Sequence, residues 1–258
     1  GQPLNIGDVM TKRDETYWDN YPSTYNKTIS ADEIKLFIGR IFQYSYTGSV
    51  SSEWRTQNTS DADKLAHIMA TQTLIWETVV GERDSNFNHV DTGSYNAIND
   101  RVSKSHPLYS QYMSYYNSMV SNVQKHSKVP SFFAKSTSKA QDIELEWNGT
   151  NHSTTLTDSS NVLGNYSFTT SESGINFSVS GNKLTITATK APTSKVSIIA
   201  TKNGSVRKGV IVWSDGKYAP GSGIQDLSTF AAEVNDPVRC YLNIKVSLGS
   251  AKIVKTSE

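Results

Sequence analysis

Residues 61–80 read Asp61-Ala-Asp-Lys-Leu-Ala-His-Ile-Met-Ala-Thr-Gln-Thr-Leu-Ile-Trp-Glu-Thr-Val-Val80, and Gly81 follows them. Apolar side chains recur here every three to four residues, which predicts a helix with one apolar stripe. Gly81 is typical of the residue that ends a helix, because glycine adopts the left-handed backbone of a C-cap without strain. The stripe consists of Leu65, Ile68, Met69, Ile75, Trp76 and Val79.

Two more helices are predicted beside this one. Ser30-Ala-Asp-Glu33 is a capping box, in which the serine and the glutamate satisfy each other's backbone N–H groups at a helix start. Ser105-His-Pro107 is expected to start a further helix, since proline suits the first turn. These patterns predict a helical domain over residues 1–135. The apolar faces of the two helices are Ile34, Phe37, Ile38, Ile41 and Phe42, and Leu108, Tyr112, Tyr115, Met119 and Val123.

Beyond residue 135 apolar and polar residues alternate, which indicates strands. Asn148-Gly149 and Asn203-Gly204 are each typical of a two-residue hairpin turn. Leu227 to Val234 is predicted as a short helix, and Val238 to Val246 as a closing strand. The fold is therefore predicted to be α+β, with a helical domain followed by an antiparallel β-rich domain over residues 136–248.

Composition excludes several classes of protein. The chain has 258 residues, of which 36% are hydrophobic and 19% charged, and this size buries a real core. A net charge of +1 argues against a nucleic-acid partner. No apolar run approaches the ~20 residues that span a bilayer, so no membrane insertion is expected. A single cysteine excludes a disulfide within the chain. Gly1 is not a natural start, so the chain is expected to be a piece of a longer protein.

One residue breaks the stripe of the helix over residues 61–80. The spacing calls for an apolar side chain at position 72, and the residue there is Gln72. A buried amide costs about 1–3 kcal/mol if its hydrogen bonds are not made. Two interpretations follow from this. Either Gln72 is a core glutamine bonded to neighbouring backbone, or its carboxamide serves chemistry.

The segment Ala70-Thr-Gln-Thr-Leu-Ile-Trp-Glu77 resembles the glutamine motif of the thioester domain (TQxA) family of Gram-positive, cell-wall-anchored surface adhesins. That motif has the form apolar-Gln-x-x-apolar-Trp, which Gln72, Ile75 and Trp76 match, while Leu74 replaces the alanine of TQxA. The resemblance covers most of residues 1–135 and implies a helical thioester-like domain, with a companion β region behind it. The further similar runs are Ala31–Ile41, Tyr44–Gly48 and Asp61–His67.

The resemblance implies a function in host attachment at the bacterial surface. In this family a cysteine sulfur attacks the glutamine carboxamide and displaces ammonia, and an amine of a host surface protein then attacks the thioester and forms a lasting amide. Gln72 is accordingly the predicted acyl donor. Trp76, Tyr44, Tyr46 and Thr71 are the predicted walls of a pocket that shields the thioester from water. The protein is expected to be extracellular, to use no cofactor and not to be an enzyme.

The cysteine that the resemblance requires is missing. The family's cysteine precedes its glutamine, and no cysteine lies before Gln72. The sulfur partner is therefore expected upstream of Gly1, or else was replaced or lost. Cys240 alternates inward with Val238 and Leu242, which predicts a small buried core residue and not a reactive thiol.

The C-terminal segment Gly249–Glu258 resembles the first strand of a collagen-adhesin B-type stalk domain. A third domain is accordingly predicted to start at residues 249–258, with following stalk domains of the same protein as partners. The resemblance implies that Lys255 forms an intramolecular isopeptide bond with an Asn or Asp of that domain.

Two other functions compete with covalent attachment. The chain could be a non-reactive binding or spacer module that grips carbohydrate or protein through exposed aromatic side chains. A hydrolase is a weaker alternative, because Glu77, Glu82, His89 and Asp91 show no local metal or acid–base motif. The histidines at the two ends of the third helix, His106 and His126, are predicted to meet solvent or to cap the helix.

Overall fold

The computed structural model of the chain describes residues 5, 7–13, 17, 26–52, 59–92, 98–208, 211–215, 223, 227–229 and 232–246. They form two compact units, each with its own apolar core. The helical unit consists of the described residues of Gly1–Ser127 and Ser205–Asp236. The sheet unit consists of those of Lys128–Gly204 and Pro237–Glu258.

Two separate segments of the chain belong to the helical unit, whereas the sequence pattern predicts a single domain boundary near residue 135. The segment Ser205–Asp236 leaves the sheet unit and belongs to the helical unit. Residues 136–248 are therefore not one domain. Alternating apolar residues form a strand in the same way whichever core they join, so the pattern does not reveal this return. The predicted third domain at 249–258 lies outside the described residues.

The described chain contains three helices, three short 3₁₀ turns and twelve strands. The helices are α1 (Ala31–Gln43), α2 (Ala62–Val80) and α3 (Tyr109–Ser127), with short 3₁₀ turns at Ile98–Arg101, Thr137–Lys139 and Leu163–Asn165. The strands are β1 (Thr11–Lys12), β2 (Asp142–Trp147), β3 (His152–Thr157), β4 (Ser167–Thr170), β5 (Ile175–Ser180), β6 (Lys183–Ala188), β7 (Val196–Lys202), β8 (Ser205–Lys208), β9 (Ile211–Ser214), β10 (Leu227–Thr229), β11 (Ala232–Asn235) and β12 (Val238–Val246).

The helix ends follow local sequence signals. The Ser30 hydroxyl accepts the Glu33 N–H, and the Glu33 carboxylate accepts the Ser30 N–H at 2.9 Å, so the capping box is confirmed. Helix α2 ends at Gly81, which has φ 88° in the left-handed region, as predicted. The apolar face of α1 is buried as predicted. None of the helices described is long and apolar enough to cross a bilayer.

Helix α2 is apolar on two sides. The side that packs into the core of the helical unit is made of small residues and threonines, because small side chains let helices α2 and α3 approach closely. The predicted stripe lies on the opposite side, given 3.6 residues per turn. There Leu65 and Ile75 are 5% and 9% exposed, and the other stripe residues are half-buried. The fully buried core side is Ala66, Ala70, Thr73, Leu74, Glu77 and Thr78.

Two small sheets complete the helical unit. Strands β1, β9 and β10 form one antiparallel sheet in the order β1-β9-β10, and β8 pairs with β11. Helix α1 packs against β8. The prediction of a short helix over Leu227–Val234 is wrong, since its described residues belong to β10 and β11. Both segments find a strand to pair with, and tertiary pairing overrides local preference at this length.

The sheet unit contains one seven-stranded sheet in the order β4-β7-β12-β2-β3-β6-β5. Asn148-Gly149 lies in the predicted hairpin, but the loop has four residues and not two, because Trp147 pairs with His152. Asn203-Gly204 forms no hairpin, because β7 pairs with β4 and β12 while β8 pairs with β11. Strand β12 runs parallel to β2, so the sheet is mixed and not purely antiparallel as predicted. The parallel pair follows from the excursion through the helical unit, since a parallel neighbour needs a long connection.

The sheet curls strongly on itself. The Phe168 ring on edge strand β4 lies 5.8 Å from the Phe177 ring on the other edge strand, β5. The curled sheet encloses an apolar core in which Leu145, Ile186 and Leu242 are fully buried. The described part of the β-rich region is thus a half-closed barrel that stabilises itself through its own core.

Candidate functional site

Gln72 lies in the middle of the half-buried side of helix α2. Its own side chain is half-buried, and within the described part of the chain its carboxamide makes no hydrogen bond. The neighbouring Thr71 and Thr73 instead return their hydroxyls to the helix, donating to the carbonyls of His67 and Met69 at 2.9 Å each. The first interpretation of Gln72, a core amide bonded to backbone, does not match this geometry. The Gln72 side chain is instead partly open to solvent.

The predicted pocket residues divide into two groups. Trp76 is half-buried and lies one turn beyond Gln72 on the same side of α2. Thr71 is 8% exposed and faces α3, where its hydroxyl lies 3.8 Å from the Met119 sulfur. Its side chain therefore points away from the side that carries Gln72. Lys255 lies outside the described residues.

Tyr44 and Tyr46 follow helix α1 and meet histidines. The Tyr44 carbonyl lies 2.9 Å from His67 Nε2, and the Tyr44 hydroxyl lies 3.0 Å from His126 Nδ1. The Tyr46 ring is centred 6.5 Å from the His67 ring. Both tyrosines are half-buried. The contacts among the described residues join these tyrosines to His67 and His126, and join neither of them to Gln72.

Tyr44 begins a hydrogen-bonded chain of polar side chains, which the sequence pattern did not predict. His126 Nε2 lies 2.9 Å from an Asp236 carboxylate oxygen, and Arg40 Nη2 donates to the same oxygen at 3.1 Å. His126 is 6% exposed, so the prediction that it meets solvent is wrong. The only sequence signal was its place on the buried spacing of α3, two turns beyond Met119. Asp236 arrives from the second passage of the chain through the helical unit, which no local pattern indicates.

Next to these hydrogen-bonded side chains, two aromatic rings stack on each other. The His67 and Tyr115 rings are parallel within 5° and their centres are 4.2 Å apart. The Tyr115 hydroxyl donates to Asp63 at 2.6 Å, which raises the pKa of Tyr115. The stack fixes the His67 ring between helices α2 and α3, and with it the position of the Tyr44 carbonyl.

Of the carboxylates considered for a hydrolase, Glu77 and Glu82 are buried and Asp91 is exposed. Glu77 is fully buried and accepts two hydrogen bonds from Arg83, at 2.9 and 2.6 Å. His89 lies 3.8 Å from the Glu82 carboxylate. Among the residues that the structure describes, no three His, Cys, Asp or Glu side chains are grouped as a metal site requires. The geometry offers no pair of open carboxylates for hydrolysis here.

Cys240 is buried in the core of the sheet unit. It is 0% exposed, and its thiol lies 3.7 Å from the Ala200 carbonyl on the neighbouring strand β7. Burial raises the pKa of Cys240 to about 12, with Lys202 opposing the shift, so the reactive thiolate is scarce at neutral pH. The structural role predicted for Cys240 agrees with this position.

We expect Cys240→Ala to lower the free energy of unfolding of the sheet unit by about 1–2 kcal/mol, less than a buried Leu→Ala, because only one sulfur atom leaves the core. Urea unfolding followed by fluorescence measures this loss. Any reaction at Gln72 should be unaffected. A variant that is as stable as the parent, or that alters such a reaction, would contradict the assignment.

No family model and no curated protein matches the chain. A search of solved structures returned the thioester domain of the Staphylococcus aureus TIE protein, at 19% identity and a TM-score of 0.39, covering 95% of this chain and 78% of that one. It also returned the Bacillus anthracis TIE protein, at 12% identity and a TM-score of 0.32. That match covers 95% of this chain and 40% of the Bacillus anthracis chain. The thioester domain of the Enterococcus faecium TIE86 protein matches at 16% identity and a TM-score of 0.23, over 81% of this chain and 70% of that one. The chain is thus similar to thioester domains of TIE proteins, at levels of identity and overlap that assign no residue of the site.

Proposed function

We propose that this chain is a thioester-type module of a Gram-positive surface adhesin and that Gln72 is its acyl donor. The observation that carries the proposal is the Gln72 carboxamide itself, which sits on an apolar helix side and makes no hydrogen bond with any described residue. No described backbone or side-chain group therefore holds this amide in place. The module would act outside the cell, anchored to the cell wall, on an amine of a host surface protein or another amine-bearing ligand.

The reaction requires a thiol that this sequence does not supply. Attack of a thiolate on the Gln72 carbonyl carbon forms the C–S bond, breaks the C–N bond and releases ammonia. Cys240 is unsuited as the nucleophile, because its sulfur is enclosed by the core of the sheet unit. The proposal therefore requires a thiol from outside the printed sequence.

The surroundings of Gln72 suit a bond that must last until a partner arrives. Ile75 and Trp76 share its side of the helix, and apolar neighbours of this kind slow hydrolysis by excluding water. A primary amine that reaches the acyl carbon displaces the thiolate and leaves a stable amide. Each molecule reacts once, so the module is a reagent and not an enzyme.

The decisive experiment is an intact mass measurement on a chain extended upstream by its natural residues. We expect a mass lower than calculated by one ammonia, and an adduct of one methylamine after incubation with that amine. Gln72→Ala should abolish both changes. Gln124→Ala is the matched control and should retain both mass changes. It removes an amide of helix α3 that donates to Asn88. A full calculated mass with no methylamine adduct would refute the thioester.

A second function is favoured by one exposed aromatic residue of the sheet unit. Trp147 is 60% exposed at the β2–β3 hairpin, with its ring 5.1 Å from that of His152. An open indole ring binds sugar or protein surfaces by stacking and burial. If the module binds without reacting, Trp147→Ala should abolish ligand binding in calorimetry while Gln72→Ala has no effect. The reverse result favours the covalent function.

A further inference from the structure

Three side chains of the helical unit, one of them the predicted pocket residue Tyr44, form a continuous hydrogen-bonded chain. The Tyr44 hydroxyl lies 3.0 Å from His126 Nδ1, and His126 Nε2 lies 2.9 Å from Asp236 Oδ2. The three residues come from the end of α1, from α3 and from the segment after β11. The His126 side chain is 3% exposed and that of Asp236 19%, so both are held largely away from water.

The charges around Asp236 determine which atom carries each proton. Arg40 Nε and Nη2 donate to Asp236 Oδ2 at 3.2 and 3.1 Å. The hydrogen bond from His126, aided by Arg40 and opposed by burial, lowers the pKa of Asp236 to about 2. Asp236 is therefore an anion that accepts the N–H of His126 Nε2. In the neutral tautomer of His126 that donates Nε2–H to Asp236, Nδ1 is the acceptor of the Tyr44 hydroxyl proton.

This arrangement places an imidazole nitrogen at the Tyr44 hydroxyl, whereas the hydroxyls of Tyr115 and Tyr116 donate to the carboxylates of Asp63 and Glu77. The hydroxyl of Tyr166 donates to the Lys128 carbonyl at 2.7 Å, and that of Tyr46 to the Ser49 carbonyl at 3.4 Å. A carbonyl oxygen holds a hydroxyl group in place and takes no proton from it. The order Asp-His-hydroxyl is that of a nucleophile activated by a neighbouring base, with tyrosine in place of serine.

We propose that Tyr44 is a base-assisted nucleophile toward activated acyl and sulfonyl groups. The bond between Tyr44 Oη and the carbonyl carbon or sulfonyl sulfur forms as the bond to the leaving group breaks. The phenol proton passes to His126 Nδ1 and from there to the leaving group or to water. Asp236 orients His126 and stabilises the imidazolium that forms, while the guanidinium of Arg40 holds the Asp236 carboxylate in place.

The charge state of Tyr44 itself makes the assistance necessary. Burial raises the pKa of Tyr44, Arg40 opposes that shift, and the Asp236 charge reinforces it. Little phenolate is therefore present at neutral pH, and an unassisted Tyr44 would react more slowly than an ordinary tyrosine. Fast reaction at Tyr44 would require the histidine.

The test uses the chain as printed and an arenesulfonyl fluoride, with the labelled tyrosines identified by peptide mass spectrometry. Tyr109, which is also half-buried in the helical unit, is the reference in the same sample. General-base assistance contributes about 10²–10⁴-fold, so we expect Tyr44 to be labelled at least about 10²-fold faster than Tyr109. Equal rates at the two tyrosines would overturn the proposal.

Single variants test whether His126 is the base that accelerates labelling at Tyr44. His126→Ala should reduce labelling at Tyr44 to the rate of Tyr109, and Tyr44→Phe should remove that label alone. His106→Ala, at the start of α3, is the matched control and should leave the rates unchanged. Gln72→Ala should also leave Tyr44 labelling intact, so that failure of the thioester and failure of this proposal are distinguishable. Unchanged labelling in folded His126→Ala would refute the role of the histidine.

A pH profile of the parent chain keeps the test independent of how the variants fold. An unassisted tyrosine reacts through its phenolate, which increases about tenfold per pH unit below a pKa of about 10. A tyrosine without a neighbouring base should follow that slope between pH 7 and 9. Tyr44 should change far less, because the imidazole and not hydroxide removes its proton. A Tyr44 profile that follows that slope would contradict the proposal.

Discussion

Arg83→Met should lower the free energy of unfolding of the helical unit by about 3–5 kcal/mol, because it leaves the buried Glu77 carboxylate without its cation. Arg83 is 2% exposed and Glu77 0%. The guanidinium also donates to the Phe87 carbonyl at 3.1 Å, and the Tyr116 hydroxyl donates to Glu77 at 2.8 Å. The pair thus joins the end of α2, the turn after it and α3. Urea unfolding of the variant measures the loss.

The pH dependence of this variant has a definite sign. Burial raises the pKa of Glu77, and Arg83 and then Tyr116 oppose that shift. Without Arg83 the pKa of Glu77 rises further, and a carboxyl whose folded pKa is raised loses stability as the pH rises through that pKa. The variant should therefore recover stability as the pH falls toward the ordinary value of 4.5.

Two further variants serve as comparisons for Arg83→Met. Lys64→Met removes the partly exposed pair with Asp61 at the start of α2 and should leave the unfolding midpoint unchanged. The double variant Glu77→Leu with Arg83→Met should be less damaging than Arg83→Met alone, since no charge is then left buried. If Arg83→Met were as stable as Lys64→Met, the buried pair would not stabilise the unit.

Asp158→Ala should lower the free energy of unfolding of the sheet unit by about 3 kcal/mol or more, since each buried donor left unpaired costs about 1–3 kcal/mol. Asp158 is fully buried and accepts three backbone N–H groups, from Ser131 at 2.8 Å, Ser160 at 2.9 Å and Val162 at 2.7 Å. One carboxylate therefore holds two loops of the unit together. Asp158→Asn keeps one acceptor oxygen and should cost less.

The same residue should make the sheet unit sensitive to acid. Burial alone would raise the pKa of Asp158, but the backbone N–H groups of Val162, Ser131 and Ser160 outweigh it and the net pKa is lowered from 3.8. A carboxyl with a lowered folded pKa stabilises the fold above its unfolded pKa, and this stability is lost as the pH falls through the folded pKa. We expect the parent chain, and not Asp158→Asn, to lose this contribution below about pH 3.8. Asp142→Ala, at an exposed carboxylate of the same unit, is the control. Equal acid sensitivity in all three chains would contradict the assignment.

The local features of the helical unit were predictable from sequence because they depend on neighbouring residues. The capping box at Ser30 and the left-handed Gly81 are determined within one helical turn. The candidate site was predictable in part for the same reason. Gln72 stands out because a polar residue interrupts an apolar period. Its motif partner Trp76 follows one turn later on the same side of α2.

Long-range features were mispredicted where local patterns are ambiguous. A strand pattern does not say which strand it pairs with, so the turn at Asn203-Gly204 was assigned to a hairpin that the chain does not form. The apolar residues of α2 were all assigned to one core-facing stripe, although the fully buried side is the opposite one. Apart from Leu74, that side is made of alanines, threonines and Glu77, which carry little hydrophobic signal.

Local signals along the sequence specify the α+β class, helices α1 and α2, the β2–β3 hairpin and Gln72 as the residue out of place. Periodicity and capping act over a few residues, so these features can be predicted from neighbouring positions. The folded chain alone reveals that residues 205–236 return to the helical unit, and that Tyr44, His126 and Asp236 form one hydrogen-bonded chain. Those contacts join positions 82 and 110 residues apart, where burial and pairing in the folded state, not spacing along the chain, select the partners.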